Sequence, residues 1–444
     1  MQSIIMHLDM NSYFASVEQQ DCPQYRGVPL GVCEHLGGII IAASKEAKKW
    51  GIKTGTPVWE AKKLYPKIIL TQTHAERYRF YTKKFVNLLS DYTDKVELAS
   101  IDEAYIDVTA CCNIKIPNNK YQNLKSKNQS DRQYLQSDPF EEAIKIVQII
   151  KRRMKTEVGD WLTCSVGIAE NKLLAKIGSD MQKPDGLTLI SNNKYQISNE
   201  QSKTLFFSKE ELYQKLKLID IPGIGHRQEK RLNAMGIKTL LDLKNYPQSS
   251  LERVFGIQGR HLHNMGQLEG SFKAKVHSET EIKSIGHMYT LPKEYRRPEF
   301  FEPVLYKLCE MVGRRLRNKN LQGNILYCFI RSSEKGKSVG ASKNLGCYVW
   351  DGRDIFLQAK EILKPLCSGG YYPPVKLIGV TVAGLRVIDG QQSLFGAEER
   401  QRKTVEALDK INSKYGEFTV FRAPVLKAGK VFRDSVGFGR EKEM

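Results

Sequence analysis

Two stretches of this chain that should lie inside a protein carry acids. SIIMHLDM, with Ile4, Ile5, Met6 and Leu8, reads as a buried strand, and Asp9 stands where it ends and the helical pattern NSYFASVEQQ begins. VELASIDEAYIDVTA reads as two strands around a tight apex, with Asp102 and Glu103 inside the otherwise apolar hairpin. Neighbours in a regular strand face opposite sides, so these two acids can converge only at a turn or bulge. An apex beside the end of the first strand meets that requirement. Three carboxylates in a partly buried place repel one another unless cations neutralise them. All-oxygen ligands select hard ions, so Mg²⁺ is expected, and two such ions suit an in-line phosphoryl transfer. The same residue types also serve as turn residues and as a helix N-cap, a reading that spacing alone leaves open.

Charge points to the partner. Of 69 Lys and Arg and 49 Asp and Glu, residues 1–110 hold 13 of each sign, 111–270 hold 25 against 17, and 271–444 hold 31 against 19. A neutral first quarter followed by basic modules suggests a chemical core with attachments that grip a polyanion such as nucleic acid. A hydrophobic fraction of 41% with 27% charged residues argues against wholesale disorder, and no apolar run approaches the ~20 residues of a membrane span. The first apolar run lacks a basic leader, so no signal peptide is expected. Nine Cys without CxxC pairs favour a reducing, cytoplasmic compartment over a disulfide framework or zinc site.

Along the chain, Gly27 to Leu64 reads as a small mixed α/β unit with a helix at Ser44 to Trp50. Residues 75–92 read as a helix with Phe80, Phe85, Leu88 and Leu89 as core. The Asn-, Ser- and Lys-rich residues 113–138 read as an inserted loop. A helix at Glu141 to Val158 and a strand at Thr163 to Ile168 follow, and residues 199–268 read as helical. After a polar linker, strands near 285–291, 323–331, 346–350 and 375–388 alternate with helices at 302–319 and 354–366. A C-terminal helix at 399–415 and a β-like run at 417–426 close the chain.

HLDMNSYFASVE, SIDEAYIDVT, SVGIAENKLLAKIGSDMQKPDG and IPGIG, in this order and spacing, resemble the Y-family translesion DNA polymerases of bacterial, UmuC/DinB-like type, over residues 4 to about 395. Details such as Asn11 look like the branch that includes UmuC. The resemblance implies an α+β multidomain, right-hand polymerase. Its palm would span 1–20 and 75–188, its fingers 21–74 and its helix-hairpin-helix thumb 189–268. A linker at 269–283, an α/β little finger at 284–390 and a tail at 391–444 would complete it. It implies Asp9, Asp102 and Glu103 as catalytic metal ligands with the Met10 carbonyl as a further oxygen, two Mg²⁺ ions, and primer-template DNA and an incoming dNTP as substrates. Asn11 replaces the family's usual Asp, at a position that is not generally a ligand.

Phe14 falls on the family's sugar-discriminating position, where a flat ring against the deoxyribose leaves no room for a 2′-hydroxyl. The triphosphate would meet the backbone amides of Asn11, Ser12, Tyr13 and Phe14 at a helix start, together with Lys45, Lys48 and Lys183. The family usually has Tyr and Arg in place of Lys45 and Lys48; Lys48 keeps the charge without the bidentate fork. Gly223, Ile224 and Gly225 of IPGIG would bring backbone amides to a DNA phosphate, reading backbone and not bases. In DGQQSLFGAEE, Gln391, Leu394 and Phe395 resemble the peptides that bind the bacterial sliding clamp. Accessory subunits are compatible with this reading, and no membrane partner is expected. A fold-retaining DNA-binding scaffold is a rival that would need no palm acids; a nucleotidyl cyclase would need neither the glycine hairpin nor the clamp-like peptide.

Overall fold

The computed structural model describes residues 3–36, 38–113, 138–192, 204–270, 282–333, 338–366, 374–388 and 397–428. The chain forms two compact units, Met1–Thr280 and Glu281–Asp434.

In the first unit, β1 (Ile5–Met10) feeds α1 (Tyr13–Asp21). A small module follows, built from β2 (Leu30–Cys33), β3 (Ile40–Ala43), the single turn α2 (Lys45–Lys48), α3 (Val58–Leu64) and β4 (Ile69–Gln72), with sheet order β3-β2-β4. Ser44 caps α2 by accepting from the Ala47 amide. The chain then returns through α4 (Ala75–Ser90), β5 (Val96–Ser100), β6 (Glu103–Asp107), α5 (Thr109–Asn113), α6 (Pro139–Arg153), β7 (Cys164–Ala169), α7 (Lys172–Met181), β8 (Leu187–Ile190) and β9 (Thr204–Phe207). The sheet order is β5-β6-β1-β7-β8-β9, so β1 is internal, antiparallel to both β6 and β7. That position explains its apolar run: Ile4, Ile5, Met6 and Leu8 are all fully buried.

Two expectations change here. Phe80 is 53% exposed, because the inner face of α4 runs through Tyr78, Tyr81, Phe85, Leu88 and Leu89, and Phe80 lies about 200° from Tyr78. Residues 204–207, read as helical, instead form the edge strand β9, parallel to β8. Beyond it lie α8 (Lys209–Lys215), α9 (His226–Ala234), α10 (Leu240–Asn245), α11 (Gln248–Phe255) and α12 (Ile257–Gly266), packed around Leu232, Leu240, Leu251 and Leu262.

The second unit is a four-stranded antiparallel sheet with helices against it: β10 (Ser284–Thr290), α13 (Phe301–Asn318), β11 (Leu321–Ser332), β12 (Ser338–Val349), α14 (Gly352–Leu363) and β13 (Val375–Val387), in order β10-β13-β11-β12. β12 is much longer than the expected 346–350. α15 (Ala397–Tyr415) follows, but the expected β-like run at 417–426 is a turn leading into a 3₁₀ segment, Ala423–Ala428. Phe418 at φ 60° and Pro424 are incompatible with an extended strand there. Among the described residues no helix is long and apolar enough to cross a membrane.

Candidate active site

Strand register brings the acids together. Asp9 is the cross-strand partner of Glu103 on one side of β1 and of Ser165 on the other. Asp102 lies in the apex between β5 and β6, where the pairing shifts register after Leu98. The turn and irregularity that the acids require are therefore both present. The apex is pinned to β1 by the Met10 amide, which donates to the Asp102 carbonyl at 2.9 Å, and the Ser100 hydroxyl donates to Asp102 Oδ1 at 2.5 Å.

Asp9 and Asp102 line a cavity of about 660 Å³ with Met10, Phe14, Lys45, Lys48 and Lys183. Burial raises both carboxyls above their usual range. At Asp9 the ammonium of Lys183, 2.8 Å away, opposes the rise, while the Asp102 and Glu103 charges add to it. Burial likewise lowers Lys48, assisted by the Lys183 charge, and burial lowers Lys45. Lys48 donates to Ser12 Oγ at 2.8 Å and Lys45 to Thr163 Oγ1 at 2.9 Å.

Glu103 is arranged differently. Its carboxylate accepts from Lys176 Nζ and from His7 Nε2, the latter at 3.2 Å. Burial pushes its pKa up, but His7 and Lys176 outweigh this and hold it at about 2. Among the described residues no group of three or more His, Cys, Asp or Glu side chains is arranged to hold a metal ion. Lys176 and His7 were not singled out in the sequence. The available signal was spacing: Lys172 and Lys176 stand one turn apart on one side of α7, and Lys183 follows in the turn after it. They meet Glu97, Glu103 and Asp9 in turn.

The residues from Asn11 to Phe14 divide their work. The Asn11 amide donates to the Thr163 carbonyl at 2.8 Å. Its side chain donates to Ser165 Oγ and accepts from the Thr163 hydroxyl and the Asp185 amide. Asn11 thus staples β1, β7 and the KPDG turn together. The Tyr13 hydroxyl donates to the Tyr78 carbonyl in the core. Ser12 adopts a left-handed φ of 51°, making the sharp entry into α1, whose first amides lack intrahelical acceptors. The Phe14 ring stacks on Tyr78 with centroids 4.4 Å apart and planes 22° apart.

The glycine hairpin lies in the helical module. Gly223 has φ 101°, a conformation that needs glycine. Gly225 has an extended backbone at φ −92°, N-caps α9 and leaves open space where a Cβ would stand. Ile224 is buried in the module core, so only its backbone is available to a partner. Gln391, Leu394 and Phe395 lie outside the described residues.

Three family models match the chain. They are the impB/mucB/samB family over residues 8–180, its C-terminal domain over 282–394, and the DNA polymerase-iota thumb domain over 219–267. DNA polymerase IV of Moorella thermoacetica is 34% identical over 435 residues, spanning 96% of this chain and 97% of that protein. DNA polymerase IV of Pelotomaculum thermopropionicum is 31% identical over 444 residues, spanning 98% and 99%. The solved Y-family DNA polymerase chimera Dbh-Dpo4(243-245)-Dbh aligns at TM-score 0.68 and 27% identity over 86% of this chain and 99% of its own. With agreement of that extent in sequence and fold, the chain belongs to the bacterial DinB/UmuC-like, DNA polymerase IV branch of the Y-family DNA polymerases.

Proposed function

We propose that this chain is a cytoplasmic, template-directed DNA polymerase of the translesion type, adding deoxynucleotides to a primer 3′-hydroxyl without proofreading. The six-stranded module is its palm, the three-stranded module its fingers, the α8–α12 module its thumb and the second unit its little finger. The observation that carries the reading is one cavity lined by two half-buried carboxylates, Asp9 and Asp102, together with Lys45, Lys48, Lys183 and the Phe14 ring. Its acidic donors are oxygens, a set that suits a hard divalent cation, and a cation would relieve the raised pKa of Asp9 and Asp102. Asp9, Asp102, the Met10 carbonyl and Glu103 would hold Mg²⁺, two ions in all, which when bound supplies charge neutralisation and an acidified 3′-hydroxyl.

Lys45, Lys48 and Lys183 gather the triphosphate as point charges, and the first amides of α1 meet its oxygens. Asn11 keeps the Lys183 turn in register with the strand that bears Asp9. Phe14, fixed by its stack on Tyr78, excludes a 2′-hydroxyl. Gln391, Leu394 and Phe395 would tether the enzyme to a sliding clamp, and accessory subunits could join the same assembly. Primer extension past an abasic template site tests the whole reading; equal extension by wild type and Asp9→Asn would end it.

Phe14→Ala should raise ribonucleotide incorporation about tenfold or more in single-nucleotide assays, since the ring it removes supplies the steric block. Unchanged sugar selectivity would remove this role. At the hairpin, Gly225→Ser separates fold from grip. Ser is at least as good an N-cap as Gly, and its Cβ meets nothing in the free protein. The melting temperature should hold while duplex affinity drops roughly tenfold, the order of one hydrogen-bond set to a charged phosphate. Equal affinity in a filter-binding titration would free Gly225 of a DNA role.

A further inference from the structure

Backbone and side chains disagree at Glu103. As the register partner of Asp9 it lies on the same sheet face, with Cβ atoms about 5 Å apart. The strands therefore already deliver a third acid to the cavity edge. Yet only Asp9 and Asp102 of the three line the cavity, and no three-acid cation cluster exists among the described residues. The difference lies in one carboxylate oxygen. Glu103 Oε2 accepts from both Lys176 Nζ and His7 Nε2.

The two donors are unlike. The His7 ring is fully buried and fixed at its far nitrogen, where Nδ1 lies 2.7 Å from Ser179 Oγ. A neutral ring donating from Nε2 leaves Nδ1 as an acceptor facing the Ser179 hydroxyl, whose one proton is shared with the Lys176 carbonyl 2.9 Å away. Lys176 is 26% exposed at its side chain and carries its charge on a flexible four-carbon stem, so it can withdraw without disturbing the fold.

We propose that Lys176 is a positioning residue that keeps Glu103 on standby against His7, and that a divalent cation entering beside Asp9 competes with the Lys176 ammonium for the Glu103 carboxylate. Recruitment of Glu103 then needs only rotation about its side-chain bonds. His7 is the fixed post to which the carboxylate returns, and Lys176 is the partner that yields. The inference rests on the reading of Asp9 and Asp102 as cation ligands.

The test is Mn²⁺ binding to the full-length protein without DNA or nucleotide, followed by the electron paramagnetic resonance signal of free Mn²⁺. Lys176→Met, which keeps the stem and removes the charge, should bind Mn²⁺ about fivefold more tightly than wild type, the order expected from deleting one partly exposed ion pair. The double variant Lys176→Met with Glu103→Gln should show no gain over Glu103→Gln alone. Lys176→Gln should repeat the result should the Met variant fold poorly by circular dichroism. Unchanged affinity in both Lys176 variants overturns the standby role. So does an equal gain in the double variant, because charge removal alone would then explain it. Asp102→Asn separates this failure from a deeper one. If it binds Mn²⁺ as wild type does, the cation reading of the cavity falls; if it loses binding while Lys176→Met matches wild type, only the standby role falls.

Discussion

Asp102→Asn will lower primer extension by about a thousandfold, roughly 4 kcal/mol of transition-state stabilisation, while leaving the protein as stable as before or more so. The structural half of this expectation follows from how the apex is held. Its link to β1 is the Met10 amide on the Asp102 carbonyl, a backbone contact that Asn keeps. The Ser100 hydroxyl can still donate to an amide oxygen at the same position. The charge, in contrast, is costly where burial strips it of water. Burial raises the Asp102 carboxyl, the Glu103 charge raises it further, and Asp102 in turn raises Asp9. An acid whose pKa is raised by folding stabilises the fold only while protonated. That contribution is present below its unfolded value and is lost as pH rises through the folded one. At neutral pH the fold therefore carries a penalty that Asn removes. Single-turnover extension and a thermal melt on the same samples check both halves. Retained activity would remove Asp102 from the chemistry, and a large drop in melting temperature would show that its role is structural.

The parts of this site that sequence reveals are those where one residue contradicts its surroundings. Asp9, Asp102 and Glu103 interrupt apolar strands, and Lys183 opens a Lys-Pro-Asp-Gly turn. The parts it conceals depend on elements distant in the chain. Lys176 and Glu103 are 73 residues apart and His7 and Ser179 are 172 apart, so their meeting depends on α7 crossing a sheet whose order is not written in any local pattern. Asn11 illustrates a finer limit. Its place at a helix start suggested amides for phosphate, yet its own amide closes β1 onto Thr163. Short apolar runs were ambiguous for the usual reason: the four residues of β9 carry no period long enough to separate strand from helix. At 417–426 the sequence reads as β-like, but the turn at Phe418 redirects the chain so that Val425 and Ala428 enter the core of the second unit.

That redirected segment explains the second large effect: Asp351→Ala will destabilise the second unit by about 4 kcal/mol. Asp351 is completely buried and does three things at once. It N-caps α14 by accepting from the Arg353 amide, accepts from Gln401 Nε2 of α15 at 2.6 Å, and accepts both terminal nitrogens of Arg422 at 2.7 and 2.9 Å. Losing a cap costs about 1 kcal/mol, and breaking a buried ion pair from one side costs about 3 kcal/mol or more, because the partner charge stays behind. Glu310, 2.5 Å from the same guanidinium, limits the loss but cannot replace a bidentate partner. The two acids also respond oppositely to pH. Burial pushes Asp351 up, but Arg422 and Gln401 outweigh it and hold it below 3.8. Its contribution is thus present above that value and lost as pH falls through the lower, folded one. Burial wins at Glu310, whose carboxyl is raised, so its contribution is present below 4.5 and lost as pH rises. Asp351→Asn, which preserves shape and cap, should therefore abolish the acid-side loss of stability while keeping the Glu310 trend. Hydrogen exchange in peptides from α13 and α14 reports this unit directly: faster exchange in Asp351→Ala at pH 7, narrowing toward wild type as the pH falls below 3.8, is the expected pattern. Identical exchange in the two proteins would mean that the C-terminal segment lies against the helices without holding them.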